Sequence, residues 1–141
     1  MAIEIKGIRN IIKQMEELDI NVKNATTKAV NKALEDTLPI LKENSPEDSG
    51  QSRNHLSIEG KGAKTYRKST WGKMGITSEN WEQTKSLWFN HHSFYNHGLN
   101  FNGQFKIDKN VGFFDRAGDK VIPKAKNIIL DELNKEIKKH L

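Results

Sequence analysis

The sequence predicts an α+β fold, in which an antiparallel β-sheet is flanked by a long N-terminal amphipathic helix and a C-terminal helix. Apolar residues recur at helical spacing from Val22 to Leu41 and again from Val121 to Ile137. Short segments with strand-like composition lie between these two stretches. Because each helix has one apolar face, both must cover one side of the sheet or pack on another subunit.

The chain of 141 residues has the length of a single domain, in which we distinguish three zones. Residues 1–44 predict a brief strand at Ile3–Ile5, a short helix and then the long helix. Residues 45–111 predict strands joined by long loops. Residues 112–141 predict the C-terminal helix.

Prolines and short polar residues predict where the helices begin and end. Asp19 or Asn21 is suited to cap the start of the long helix. Pro39 is expected to kink or end that helix, because proline lacks the backbone N–H. Pro123 fits the first turn of the C-terminal helix, where that N–H is not needed.

The middle zone predicts several strands. His55–Glu59 alternates between polar and apolar residues, and Met74 and Ile76 suggest a second short strand. Leu87–Tyr95 is rich in aromatic residues and is the strongest strand prediction. Most of the aromatic side chains from Trp88 to Phe114 are expected in the core. The segment Leu99–Val111 is rich in Asn, Gly and Lys and is expected to form a loop.

Composition excludes several classes of protein. The chain has no cysteine, which excludes disulfide scaffolds, thiol nucleophiles and Cys-ligated metal sites. No apolar stretch reaches the roughly 18 residues of a membrane span, and the first residues do not resemble a signal peptide. We therefore expect a soluble protein that is made in a cytoplasm. Motifs for nucleophilic catalysis or phosphate binding are absent from the sequence.

Three histidines, His91, His92 and His97, lie close together in sequence and raise the alternative of a metal-dependent nuclease. On the predicted strand, His91 and His92 point to opposite faces, and His97 lies about 20 Å from His91. No carboxylate between Gln83 and Phe105 completes a site locally. We therefore expect these imidazoles on a surface or an interface, with no metal bound.

A basic, glycine-containing segment runs from Gly60 to Lys73, with a possible strand around Tyr66. Five cations and no acid fall within it: Lys61, Lys64, Arg67, Lys68 and Lys73. Together with Tyr66 and Trp71, they suit sequence-independent binding of nucleic acid. A solvated mobile loop and docking on an acidic protein surface are the alternatives, and the net charge of +5 does not separate them.

Four aromatic residues lie in segments that the sequence otherwise predicts to be exposed. They are Trp71, Trp81, Phe101 and Phe105. Large exposed apolar side chains commonly mark a partner surface, and tryptophan is a frequent anchor in protein interfaces. We therefore predict these four as interface residues.

A series of short motifs resembles the tailed-phage neck family of head–tail joining, tail-completion and minor tail proteins. The matching segments, in chain order, are Ile3–Gly7, Pro39–Lys42, Ser45–Gly50, Arg53–Ile58, Phe94–Gly98 and Phe113–Ala117. The turn with Pro46, Asp48 and Gly50 is the most specific of them and is predicted to be structural. The chain departs from the family pattern at Asn96-His97, Leu99, Gly112 and Ser52.

The resemblance implies a structural component of the virion neck or tail that is not an enzyme and has no catalytic residue and no cofactor. Proteins of this family assemble as rings, commonly hexamers, between the capsid connector or stopper and the tail-terminator or tail-tube proteins. The resemblance therefore implies self-association, contacts with those neighbouring rings, and the basic segment facing DNA in the channel or an acidic ring. It implies no membrane partner.

Overall fold

The computed structural model describes residues 8–47, 52–66, 69–91, 94–95, 105–106 and 112–141. These residues form α-helices, one 3₁₀ turn and short antiparallel strands. In chain order the elements are α1 (Ile8–Glu17), α2 (Val22–Glu43), the 3₁₀ turn (Ser52–His55), β1 (Ser57–Ile58), β2 (Lys64–Tyr66), β3 (Ser69–Trp71), β4 (Met74–Gly75), α3 (Trp81–His91), β5 (Phe94–Tyr95), β6 (Phe105–Lys106) and α4 (Phe113–Lys139).

Helices α2 and α4 pack side by side in opposite directions and form the backbone of the fold. Near the start of α2, Ala25 and Ala29 share a buried cluster with Leu133 and Ile137 from the end of α4. Near the end of α2, Leu41 shares a second cluster with residues from the start of α4. That cluster contains Leu41, Leu56, Leu87, Phe113, Ala117 and Val121. The α2–α4 pair therefore carries one apolar cluster at each end.

Helix α1 packs on the first cluster and ends in a Schellman motif. Asp19 adopts a left-handed backbone with φ 56°, and the Ile20 N–H donates back to the Met15 carbonyl at 2.9 Å. Ile20 and Met15 are both buried in the first cluster. Asn21 caps α2, since its side chain accepts from the Asn24 N–H at 3.1 Å. Asn21 is thus the capping residue, and Asp19 ends the preceding helix.

Pro39 and Pro123 lie inside helices, so it is wrong that Pro39 ends the long helix and that Pro123 lies in the first turn of the C-terminal helix, whereas a kink at Pro39 stays a prediction. Helix α2 continues past Pro39 to Glu43, and α4 begins ten residues before Pro123. Pro39 and Pro123 are exposed, as are Glu35 and Asp119, whose carbonyls lose their helical partner. Because those carbonyls lie on the solvent side, each helix can continue through its proline.

The described strands form three separate antiparallel pairs, β1–β4, β2–β3 and β5–β6. The α+β class, the long N-terminal helix and the C-terminal helix are confirmed, and a single sheet flanked by both helices stays a prediction. The expected strands at His55–Glu59, Tyr66 and Met74–Ile76 are present in shortened form. The expected loop at Leu99–Val111 contains β6, and the expected strand at Ile3–Ile5 lies outside the described residues.

The strongest strand prediction, Leu87–Tyr95, is largely wrong because its first part belongs to helix α3. Thr84 and Leu87 are buried three residues apart, which is a helical spacing. Thr77 and Asn80 form reciprocal hydrogen bonds in the turn before the helix: Asn80 Oδ1 accepts from the Thr77 N–H at 2.7 Å, and Thr77 Oγ1 accepts from the Asn80 N–H at 3.2 Å. The Asn80 carbonyl accepts from the Thr84 N–H at 3.0 Å, so Asn80 is the N-cap residue of α3. Asparagine is a favoured N-cap residue and is the sequence signal that could have predicted this helix start.

Candidate interaction surfaces

The basic segment forms a β-hairpin of β2 and β3 that lies on α2. Four threonine hydroxyls join the two elements: Thr26 to Thr70 at 3.0 Å, Thr27 to Thr65 at 3.2 Å, and Thr65 to Thr70 at 3.0 Å. The prediction of a mobile loop over Gly60–Lys73 is therefore wrong for the described part of this segment. Its strands are fixed to the helix through one face.

The base of the hairpin approaches α2 closely. Asn31 Oδ1 accepts from the Ala63 N–H at 2.7 Å. Gly62 has φ 94°, and a Cβ placed there would meet Asn31 Oδ1. Gly72 lies directly over Leu34, and a Cβ there would collide with its side chain. Gly62 thus combines a close approach with a positive φ that favours glycine, whereas a side chain at Gly72 would require Leu34 to move.

The other face of the hairpin presents basic and aromatic side chains to solvent. Lys64 lies opposite Trp71 on the neighbouring strand, and Tyr66 lies opposite Ser69. Tyr66 is 63% exposed and Trp71 is 40% exposed. Lys61 and Lys73 are also exposed, while Arg67 and Lys68 lie outside the described residues. Lys64 and Trp71, two of the residues predicted for binding, are therefore brought together.

An open groove of about 1780 Å³ runs along the α2–α4 pair, and we call it the α2–α4 groove. Apolar residues of α2 form its floor, among them Val30, Ala33 and Leu34. Apolar residues of α4, among them Val121 and Ile122, form one wall. Trp71 and the residues that follow it form the other wall, and α1 lies at one end.

Charged side chains surround this groove unevenly. Its described lining includes the cations Arg9, Lys13, Lys23 and Lys73 and the anions Glu16 and Glu59. The border of the α2–α4 groove is therefore net positive around an apolar interior.

A second apolar surface lies on α3 and consists of Trp81, Trp88 and Phe89, which we call the α3 aromatic patch. The ring centroids are 6.1 Å apart for Trp81 and Trp88 and 5.3 Å apart for Trp88 and Phe89, both in edge-to-face geometry. The three side chains are between 37% and 46% exposed. The expectation that Trp88 and Phe89 belong to the core is therefore wrong, whereas Phe113 is buried as expected.

Asn80 fixes α3, and with it the aromatic patch, to the rest of the fold. The residue is 7% exposed. Its Nδ2 donates to the carbonyls of His55 at 2.7 Å and Gly75 at 2.9 Å and to Ser57 Oγ at 3.0 Å. Its Oδ1 also accepts from Thr84 Oγ1 at 3.1 Å. One buried amide thereby joins the 3₁₀ turn, β1, β4 and α3.

His91 ends α3 and accepts hydrogen bonds from the first turn of α4. Its carbonyl accepts from the Gly112 N–H at 2.9 Å, and its Nδ1 accepts from the Phe114 N–H at 3.3 Å. Gly112, the N-cap residue, has no capping side chain, so His91 supplies an acceptor that the helix start needs. His92 and His97 lie outside the described residues. Among the residues described, no group of three or more potential ligands is arranged around a metal position.

The turn after α2 is described only at its two ends. Ser45 Oγ donates to the Leu41 carbonyl at 2.7 Å, and Pro46 follows, half-buried. Glu47 and Arg53 form an ion pair at 2.7 Å across the segment between them. Asp48 and Gly50 lie outside the described residues, so their structural role stays a prediction.

The four predicted interface aromatics fall in different places. Trp71, on the exposed face of the hairpin, also borders the α2–α4 groove, and Trp81 belongs to the α3 aromatic patch. Phe105 is in β6, with its side chain outside the described part, and Phe101 is not described. The structure therefore assigns Trp71 and Trp81 to two separate surfaces.

The chain matches no protein-family model, and no curated protein or solved structure is significantly similar to it. Within the described ranges, no helix is long and apolar enough to span a membrane. The features of the chain that bear on its function are therefore the two surfaces, the hairpin and the sequence motifs.

Proposed function

We propose that this chain is a structural assembly protein of a tailed phage or prophage, which joins or completes the tail at the head–tail interface as a subunit of a ring and without catalysis. The observation that carries the proposal is the pair of separate apolar surfaces. None of the described residues that line the α2–α4 groove belongs to α3. A ring needs a heterologous interface, in which each copy offers two different surfaces.

The resemblance in sequence to the phage neck family supports the same function. Two matched motifs lie at defined positions: Pro39–Lys42 in the last turns of α2, and Phe113–Ala117 at the start of α4. Both contribute to the second apolar cluster. The proposed partners are further copies of this chain, the connector or stopper on one side and the tail-terminator or tail-tube protein on the other. The proposed location is the virion.

Immunogold labelling of purified virions tests this proposal. Particles are prepared from the phage or induced prophage that encodes the chain, with a short epitope tag placed after Leu141, which is 87% exposed. We expect gold at the junction of head and tail, together with the protein in the virion by mass spectrometry. Absence of the protein from gradient-purified virions would contradict the proposal.

A second candidate function, sequence-independent binding of nucleic acid, is favoured by the outward face of the hairpin. Lys64 and Trp71 lie opposite each other there, and Tyr66 is the most exposed aromatic side chain on that face. Cations that neutralise phosphates next to rings that stack on bases are typical of such binding. In a ring, the same face is suited to a DNA channel.

Filter binding at two salt concentrations tests this second function. We expect micromolar binding to DNA with a steep salt dependence, and at least a tenfold loss in the double variant Lys64→Glu/Trp71→Ala. The control is Lys138→Glu, at an exposed position near the end of α4. No binding at low salt would remove this candidate.

A further inference from the structure

We infer that the α3 aromatic patch of one copy enters the α2–α4 groove of the next copy. This inference rests on the proposed ring and specifies its interface. The patch contains three partly exposed rings. The groove is an open space of about 1780 Å³ that is lined largely by apolar side chains. The patch supplies partly exposed aromatic rings, and the groove has the space and the apolar lining to receive them.

A single copy cannot make this contact with itself. Leu87, on the buried side of α3, packs in the second cluster with Leu41 and Leu56. Asn80 ties the start of the same helix to β1 and β4. Turning the patch into the groove of its own chain would break both sets of contacts. A second copy meets the groove with α3 left in place.

Charge complementarity favours a second copy as the occupant. The described residues that line the α2–α4 groove include four cations and two anions, which gives them a net positive charge. Beside the patch, Glu79 and Glu82 are exposed, and Lys85 is the one cation of α3, paired with Glu82 at 3.0 Å. These three described residues around the start of α3 therefore carry a net charge of −1. Opposite charges at the edges of an interface favour the correct pairing and accelerate association.

The size of the patch sets the expected strength of one contact. At about 40% exposure, the three rings offer roughly 200–300 Å² of apolar surface. A stable interface buries about 800 Å² on each partner. The patch thus supplies the centre of an interface and not its whole area. We expect monomers in dilute solution and association at high concentration, where each copy in a ring makes the contact twice.

Cysteine cross-linking tests the pairing, because the chain has no cysteine of its own. Lys85→Cys marks the patch and Lys73→Cys marks the groove, and both positions are exposed. Equal amounts of the two variants are mixed at high concentration with a flexible bis-maleimide. We expect the mixed dimer in at least tenfold excess over the dimer obtained when Lys138→Cys replaces Lys73→Cys. A yield equal to that of the control, or a predominant Lys85→Cys homodimer, would overturn the inference.

A variant of the patch provides the second readout. Trp81→Glu introduces a charge into the patch, and Gln83→Glu introduces the same charge at an exposed position of α3 outside it. Circular dichroism verifies that both variants are folded. We expect Trp81→Glu to lower the yield of the cross-link and the infectious titre at least tenfold, and Gln83→Glu to leave both unchanged.

The outcomes separate this inference from the proposed function. If Trp81→Glu assembles normally while Lys13→Glu at the groove abolishes assembly, a different protein occupies the groove and the inference is wrong. If cross-linking fails but the protein is found at the virion neck, the proposed function stands and the inference alone fails. Absence from the virion would defeat the proposed function, whatever the cross-link shows.

Discussion

At the scale of single residues, Asn80 connects more of the fold than any other side chain described. Its amide satisfies the carbonyls of His55 and Gly75 at distances below 3 Å, in a site with little access to water. A buried polar group that loses its partner is costly, since the partner's bond to water is not restored. Asn80 also starts α3, so it sets the position of the aromatic patch.

We predict that Asn80→Ala destabilises the protein by about 2–4 kcal/mol, because several buried donors and acceptors lose their partner together. Urea unfolding followed by circular dichroism measures the change. Asn127→Ala, at an exposed position of α4, is the matched control and should change stability by less than about 0.5 kcal/mol. Equal unfolding midpoints for the two variants would show that the Asn80 network contributes little.

At the scale of elements, the β2–β3 hairpin is held on α2 by polar contacts. The threonine hydroxyls and the bond from the Ala63 N–H to Asn31 lie on this interface, and neither of the two buried apolar clusters includes a hairpin residue. A net contribution of about 1 kcal/mol for each hydrogen bond makes this attachment weaker than the helix contacts. We therefore expect the hairpin to detach before the helices unfold.

Two glycines at the base of the hairpin test that attachment. Gly62→Ala and Gly60→Ala both place a side chain at positive φ, which costs about 1 kcal/mol. Only at Gly62 does the added Cβ meet Asn31, whereas the space around Gly60 is open. We predict that Gly62→Ala alone greatly accelerates hydrogen exchange in β2 and β3. Equal exchange rates in the two variants would contradict the close packing.

The sequence predicted those elements whose apolar residues follow one clear period. Helices α1, α2 and α4 were expected because isoleucine, leucine, valine and alanine recur at three- and four-residue spacing in each. Helix α3 is not predicted by the sequence, because one of its buried positions is a threonine and its aromatic residues face outward. Aromatic composition therefore favours a strand where the N-cap residue Asn80 and the spacing of the buried residues specify a helix.

The candidate surfaces were predictable only in part. Trp71 and Trp81 stood out as large apolar residues in polar surroundings, and both are exposed. The α2–α4 groove was not predictable, because its floor and walls come from α2, α4 and β3, which are distant in sequence. The groove forms only when the helices pack together, and the sequence of one chain does not show how they pack.

At the scale of the whole molecule, the chain places different chemistry on three surfaces. The hairpin presents cations and aromatic rings, the α2–α4 groove presents apolar side chains within a positive border, and the α3 aromatic patch presents three rings. In the proposed ring, the groove and the patch contact neighbouring copies, and the hairpin faces the channel or the adjoining ring.

We predict that reversing the charge of the hairpin impairs assembly or DNA passage. The variant Lys64→Glu/Arg67→Glu/Lys68→Glu should lower the infectious titre at least tenfold, because it replaces attraction to phosphate or acidic side chains by repulsion. The control reverses Lys124, Lys126 and Lys138 on α4, with the same change in net charge. A normal titre for the hairpin variant would show that its charge has no part in assembly.

Electron microscopy of a lysate from the encoding phage or prophage with this gene deleted tests the proposed function most directly. The account predicts DNA-filled heads beside separate or unfinished tails, with joined particles restored when the gene is supplied on a plasmid. Normal joined virions in the deletion strain would contradict a role at the head–tail interface.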